Sequence, residues 1–101
     1  MNLQERCDLL IRLGIYMAGK DEAWLAAKDK AHRENAWFIP EFIELASRNI
    51  ASTFLQPQAL ESFASSYNLP QENPAPKQVG LVLAGNIPLV GFHDVMCVFI
   101  T

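Results

Sequence analysis

The stretch that decides the fold is QVGLVLAGNIPLVGFHDVMCVFI, residues 78–100. Gln78 to Ala84 are short, branched and apolar without alternation, the pattern of a strand buried on both faces of a parallel sheet. Gly85 and Asn86 make a turn. Pro88 then fits the first position of a helix running from Leu89 to Ile100, where its missing N–H is an orphan in any case. Strand, turn and helix in that order open a βαβ unit. A single strand does not satisfy its own backbone, and each buried orphan costs about 1–3 kcal/mol. Its neighbours must lie beyond Thr101 or come from another copy, or the region rearranges in isolation.

Upstream the periodicity is helical. Asn2 and Glu5 have cap spacing, and Leu3, Cys7, Leu10, Ile11, Gly14 and Met17 recur at three- and four-residue steps. Gly19 suits a left-handed helix end. Asp21 caps a second, short helix carrying Ala23, Trp24, Ala27 and Ala31 through His32, and Asn35 breaks it. Pro40 opens a third helix whose inward face is Phe42, Ile43, Ala46, Ile50 and Phe54. Pro57 opens a fourth with Leu60, Phe63, Ala64 and Tyr67 inward. The tryptophans at 24 and 37 fall on these stripes and read as core.

The expected class is therefore a predominantly helical α/β fragment with three parts. Residues 1–67 form a helical region, and 68–77, NLPQENPAPK, form a proline-rich linker that favours extended chain. Residues 78–101 are the first strand, turn and helix of a nucleotide-binding parallel sheet, truncated. Half the residues are hydrophobic and 19% are charged, which excludes a disordered polar chain. A net charge of -3 without a basic stripe argues against a nucleic-acid partner. Val79 to Ile100 is apolar enough and long enough to resemble a membrane span, but Gly85, Asn86 and Pro88 interrupt it and His93 and Asp94 would carry ionisable groups into lipid. The N-terminus does not read as a secretory signal. Cys7 and Cys97 have no partner at metal or redox spacing, a usage that fits a reducing cytoplasm.

The glycines at 80, 85 and 91 match neither the GxGxxG fingerprint nor a phosphate-binding P-loop. What remains is a strand ending in Gly-Asn at the carboxyl edge, where open α/β sheets bind ligands. Ala84, Gly85, Asn86, Ile87 and Pro88, followed by Phe92, His93 and Asp94, resemble the acyl-CoA reductase family of the bacterial luminescence type, a branch of the aldehyde dehydrogenase superfamily. His32 to Ala46, HRENAWFIPEFIELA, is similar in style to that family's helical N-terminal part. The resemblance implies an NADPH-dependent reduction of fatty acyl-CoA to fatty aldehyde through an enzyme thioester. It also implies that the Asn86 amide meets the substrate carbonyl oxygen and that the backbone of Leu83, Ala84, Gly85 and Asn86 lies beside the nicotinamide. A fixed N–H aimed at developing negative charge is worth about 3–4 kcal/mol of barrier. Taken alone, Asn86 also reads as a turn residue, since Asn tolerates left-handed backbone.

Cys97 sits in an apolar helical run and reads as a small buried hydrophobe rather than a nucleophile, as does Cys7. His93 and Cys97 share a helix face, but two ligands do not close a zinc site, so no metal is expected. His93 and Asp94 read as caps or anchors of the last helix, and His32 as a solvent-facing helix-end residue. The alternative to a reductase fragment, not expected to be active by itself, is a non-catalytic helical interaction module that self-associates through its apolar C-terminal segment.

Overall fold

The computed structural model describes residues 1–101. It contains five helices, α1 Leu3–Ala18, α2 Glu22–Glu34, α3 Pro40–Thr53, α4 Pro57–Ser66 and α5 Phe92–Ile100, and no strand. The chain is predominantly helical, as its periodicity requires.

Each helix start has a local cause. Asn2 accepts from the Glu5 amide at 2.9 Å while the Glu5 carboxylate accepts from the Asn2 amide at 2.8 Å, closing a capping box on α1. Asp21 caps α2 by accepting from the Ala23 amide. Pro40 and Pro57 occupy the first turns of α3 and α4, where a missing donor costs nothing. Gly19 ends α1 in extended rather than left-handed backbone, with its N–H bonded to the Tyr16 carbonyl. Far from being short, α2 runs for 13 residues with Asn35 as its C-cap.

The core is a single seam. Leu3, Leu10 and Met17 of α1 meet Ile50 and Ala51 of α3, Leu55 of the following turn, Leu60 of α4, and Met96 and Ile100 of α5. Cys7, Ile11, Trp24, Phe54 and Phe63 pack around it, half-buried. Gly14 is where α1 comes closest to the turn after α3: a Cβ there would stand 2.8 Å from the Leu55 Cβ and 3.3 Å from its carbonyl oxygen. Arg6 donates to the Ile100 carbonyl at 3.1 Å and so ties the end of α5 to α1. By contrast α2 buries no residue fully; it is held to α3 by Lys28, whose Nζ lies 2.7 Å from Glu44 Oε2, and Trp24 donates to the Met17 carbonyl at 2.9 Å.

Several inward assignments do not hold. Phe42 is 55% exposed, Tyr67 67% and Trp37 82%. The buried face of α3 is instead Ile43, Ser47, Ile50 and Ala51, of which Ile50 and Ala51 join the seam, with the Ser47 hydroxyl donating to the Ile43 carbonyl at 2.8 Å. Tyr67 stacks on Phe63 at a centroid separation of 4.8 Å outside the core. His32 is half-buried, not solvent-facing, with its Nδ1 2.8 Å from the Phe38 carbonyl.

The larger departure is at residues 78–84, which are extended and exposed throughout but form no strand. No backbone–backbone hydrogen bond involves residues 76–84. A strand exists only through pairing, and no second extended segment lies alongside. Keeping the backbone wet avoids the orphan cost, and the consequence is that Val79, Leu81, Val82 and Leu83 face water. The final helix also starts later than its sequence suggests. Pro88 lies in a turn, Leu89 takes a left-handed φ of 58°, and helical backbone begins only at Phe92. The molecule is correspondingly elongated, 42 × 26 × 22 Å, with a radius of gyration of 14.8 Å against roughly 13 Å for a closed domain of this length.

Two outcomes follow from the seam and the α2–α3 tie. Gly14→Ala improves helix propensity by about 1 kcal/mol, but it overpacks the Leu55 backbone, at about 1–3 kcal/mol. A net loss is expected, read as a lower denaturant midpoint at unchanged slope. The hydrogen bond from Lys28 holds the Glu44 carboxyl below its ordinary pKa, opposed in part by burial. That stabilisation is present above the ordinary glutamate pKa and is lost as pH falls through the lowered value. Lys28→Met should therefore be less stable than the parent near neutrality, by about 1 kcal/mol at most once solvent screening of the half-exposed Glu44 is allowed for. The two unfolding curves should converge as the solution is acidified.

Candidate functional site

Leu83, Ala84, Gly85 and Asn86, the residues singled out by the motif, lie consecutively at the end of the extended segment and are all exposed. The Leu83 side chain folds against Gly91, where an added Cβ would stand 2.5 Å from Leu83 Cδ2. Gly91 thereby fixes the direction in which the segment enters the turn. Around Gly85 there is open space, with nothing within 4 Å of a built Cβ. A planar ligand is free to approach the backbone there.

The turn is pinned by Asn35, the C-cap of α2. Its side-chain oxygen accepts from the Trp37 amide at 3.1 Å, and its side-chain nitrogen donates to the Gly85 carbonyl at 3.3 Å. One carboxamide thus fixes the chain entering α3 and the chain leaving the extended segment, 50 residues apart in sequence. Between them lies an open groove of about 630 Å³. Trp37 and the outer face of α3, Phe42, Leu45, Ala46 and Asn49, form one wall. Asn86, Ile87 and Pro88 form the other. No charged residue lines it, and its size falls within the range of small-molecule sites.

Of this site, Asn86 was readable from the motif, whereas the wall opposite was not. Phe42, Leu45, Ala46 and Asn49 recur at three- and four-residue steps, a second stripe beside the seam stripe of α3. That stripe is the signal available in the sequence for an additional apolar face. Asn35 reads there only as a helix breaker; its bridging role depends on the tertiary placement of Gly85.

The two thiols are elsewhere. Both are half-buried and unpaired by disulfide. Burial first, then the Asp8 carboxylate, pushes the Cys7 thiol up, against a smaller opposing effect of Arg6. Burial and Asp94 do the same to Cys97. Cys97 Sγ stands 3.7 and 3.8 Å from the two ring nitrogens of His93, within reach of a weak sulfur hydrogen bond. The His93 ring packs on Phe54 at 5.2 Å between centroids, and neither it nor Asp94 caps α5 through a side-chain hydrogen bond. Neither cysteine has the depressed pKa of an activated nucleophile. No three His, Cys, Asp or Glu side chains converge as a metal site, and no helix is long and apolar enough to cross a membrane.

No family model matches this chain, and neither a curated protein nor a solved structure matches it.

Because both thiols are held protonated, alkylation by iodoacetamide at pH 7 should run more slowly at Cys7 and Cys97 than at a free cysteine. It should accelerate only as pH rises beyond the ordinary thiol range near about 8.5. Peptide mapping after timed alkylation measures each site; rapid labelling at neutral pH would contradict the assignment.

Proposed function

We propose that this chain is the N-terminal part of an NADPH-dependent reductase of fatty acyl-CoA, with Asn86 as the donor to the reacting carbonyl. One observation supports the reading above the others. A branched, apolar segment without alternation, residues 78–84, is exposed without a single backbone hydrogen-bond partner, and leads directly into the AGNIP turn and a helix. In a parallel sheet that segment is a central strand, with its apolar side chains covered on both faces. Asn86 then stands at the carboxyl edge, the place where open α/β sheets hold ligands.

The local geometry fits the cofactor half of such a site. Open space around Gly85 lets a flat ring approach the backbone, and Leu83 to Asn86 are the residues that would lie along its nicotinamide. Bound NADPH supplies the hydride. Asn86 would donate its side-chain N–H to the carbonyl oxygen as charge develops when a cysteine thiolate adds to the acyl carbon and the thiolate of coenzyme A departs. The same donor serves the oxygen again in the reduction of the resulting enzyme thioester to the aldehyde. Neither Cys7 nor Cys97 is assigned as the attacking thiolate: both are half-buried in helices, and burial pushes each thiol up rather than down. These 101 residues alone therefore perform no turnover, and a cytoplasmic setting suits the acyl-CoA substrate.

A second reading, a non-catalytic module that self-associates, is favoured by the apolar side chains of the same region. Val79, Val82, Ile87, Val90 and Val95 are all exposed, apolar surface that a second copy would cover. Sedimentation separates the two: a well-folded dimer that binds no nucleotide supports self-association.

In the reductase that carries this segment, Asn86→Ala should lower kcat by about 100-fold or more while leaving the fold intact, since one oxyanion donor is worth 10²–10³. Unchanged turnover would reduce Asn86 to a turn residue.

A further inference from the structure

We propose that His93 and Cys97 on α5 are half of a zinc-type metal site, and that the same two residues of a second copy of this chain complete it. The inference owes nothing to the reductase reading. It gives the second copy of the self-associating reading a ligand role.

The pair follows from helix geometry. Residues four apart are neighbours on one helix face, and Cys97 Sγ lies 3.7 Å from His93 Nδ1 and 3.8 Å from Nε2. A tetrahedral ion with ordinary zinc–sulfur and zinc–nitrogen bonds holds two such donor atoms about 3.6 Å apart. The side chains therefore already stand at chelating separation. Neither has another hydrogen-bond partner, whereas the other histidine, His32, is committed through Nδ1 to the Phe38 carbonyl. His93 is exposed and Cys97 half-buried, so a cation reaches the pair from solvent. The helix beneath them is fixed, since Met96 and Ile100 are buried in the seam and Arg6 holds the Ile100 carbonyl. The Phe54 ring, packed on His93 at 5.2 Å between centroids, supplies apolar surface of the kind that limits water at a metal centre.

Thiolate with imidazole selects a borderline-soft divalent ion of zinc type, and disfavours magnesium and calcium, which take oxygen donors. Two donors leave a tetrahedral ion half coordinated. The chain by itself does not supply the rest, because no three His, Cys, Asp or Glu side chains converge. At a two-fold axis every ligand occurs twice, so this pair meeting its own copy gives the two-thiolate, two-imidazole set of a closed structural site. The charges balance. Each thiol yields its proton to solvent as its sulfur–metal bond forms, each neutral imidazole donates a nitrogen lone pair, and the two thiolates cancel the charge of the ion. Asp94, the next residue along α5 from His93, adds a carboxylate whose field attracts the cation.

Cobalt(II), whose visible bands report tetrahedral thiolate coordination, is titrated into the reduced chain, and zinc into parallel samples for sedimentation. Strong visible bands are expected, saturating at one cobalt per two chains and displaced by zinc. Zinc should double the sedimenting mass, and a chelator should restore the monomer. Cys97→Ser and His93→Gln should each remove the bands and the zinc-dependent dimer, while Cys7→Ser leaves both. Because His93 is exposed, His93→Gln keeps its helical circular dichroism and carries the test where Cys97→Ser does not fold. Absence of tetrahedral bands, saturation at one cobalt per monomer, or full binding by a folded His93→Gln chain would overturn the proposal. A dimer that forms without metal and takes none also overturns it, yet leaves the self-associating reading standing. The reductase reading is decided by Asn86→Ala turnover, on which none of these results bears.

Discussion

The close approach of α1 to the turn that follows α3 is the contact on which the rest of this fold depends. Gly14 is the only residue type that leaves room for Leu55 there, and Leu55, 1% exposed, is the side chain around which α1, α3 and α4 converge. Once that contact is made, Leu10 and Met17 fall against Ile50 and Ala51, and the last helix docks Met96 and Ile100 into what remains. The Arg6 guanidinium then closes the end of α5 by donating from Nε to the Ile100 carbonyl. Dispersion and apolar burial, not polar pairing, hold this seam; no buried side-chain polar atom is left without a partner.

The seam is small for the apolar content of the chain. Half the residues are hydrophobic, yet 14 of 101 are buried. The surplus is concentrated in residues 79–90 and on the outer face of α3. A solvated extended backbone is cheap in hydrogen-bond terms, because water replaces every missing partner. It is expensive in hydrophobic terms, at about 25 cal/mol for each Å² of apolar surface left wet. Segments of this kind persist where something else covers them, and a sheet answers both costs at once by pairing the backbone and burying both faces.

The helices were legible because their signals are local. The capping box of Asn2 and Glu5, the Asp21 cap, and the prolines at 40 and 57 each act within one turn, and periodicity selects the buried side of α1. Periodicity misleads where a helix has two apolar stripes. In α3 the buried face takes Ile43, Ser47, Ile50 and Ala51, which leaves Phe42 outside, and only the tertiary placement of the neighbouring helices decides between the stripes. The strand expected at residues 78–84 failed for a different reason: the pattern describes a side chain's preferred surroundings, and no segment pairs with these residues to supply them. Of the candidate site, Asn86 was legible through its motif. The Asn35 bridge was not, because a hydrogen bond across 50 residues leaves no periodic trace.

The turn at residues 85–91 is where local preference and tertiary setting disagree. Pro88 has the φ of a first helical residue and lacks only a donor that such a position does not use. Yet helix does not form there, and Leu89, a bulky residue with no intrinsic preference for it, sits at φ 58°. Two contacts account for this. Asn35 holds the Gly85 carbonyl toward α2 and α3, and Leu83 lies across Gly91, so the chain must reverse direction in the five residues between Gly85 and Gly91. A left-handed residue accomplishes the reversal. Rules of local consistency tend to break at functional sites, where surrounding structure holds a conformation that the sequence alone would not choose. Here the break falls on the residues immediately after Asn86, and its effect is to set Ile87 and Pro88 opposite Phe42 and Leu45 as the second wall of the groove.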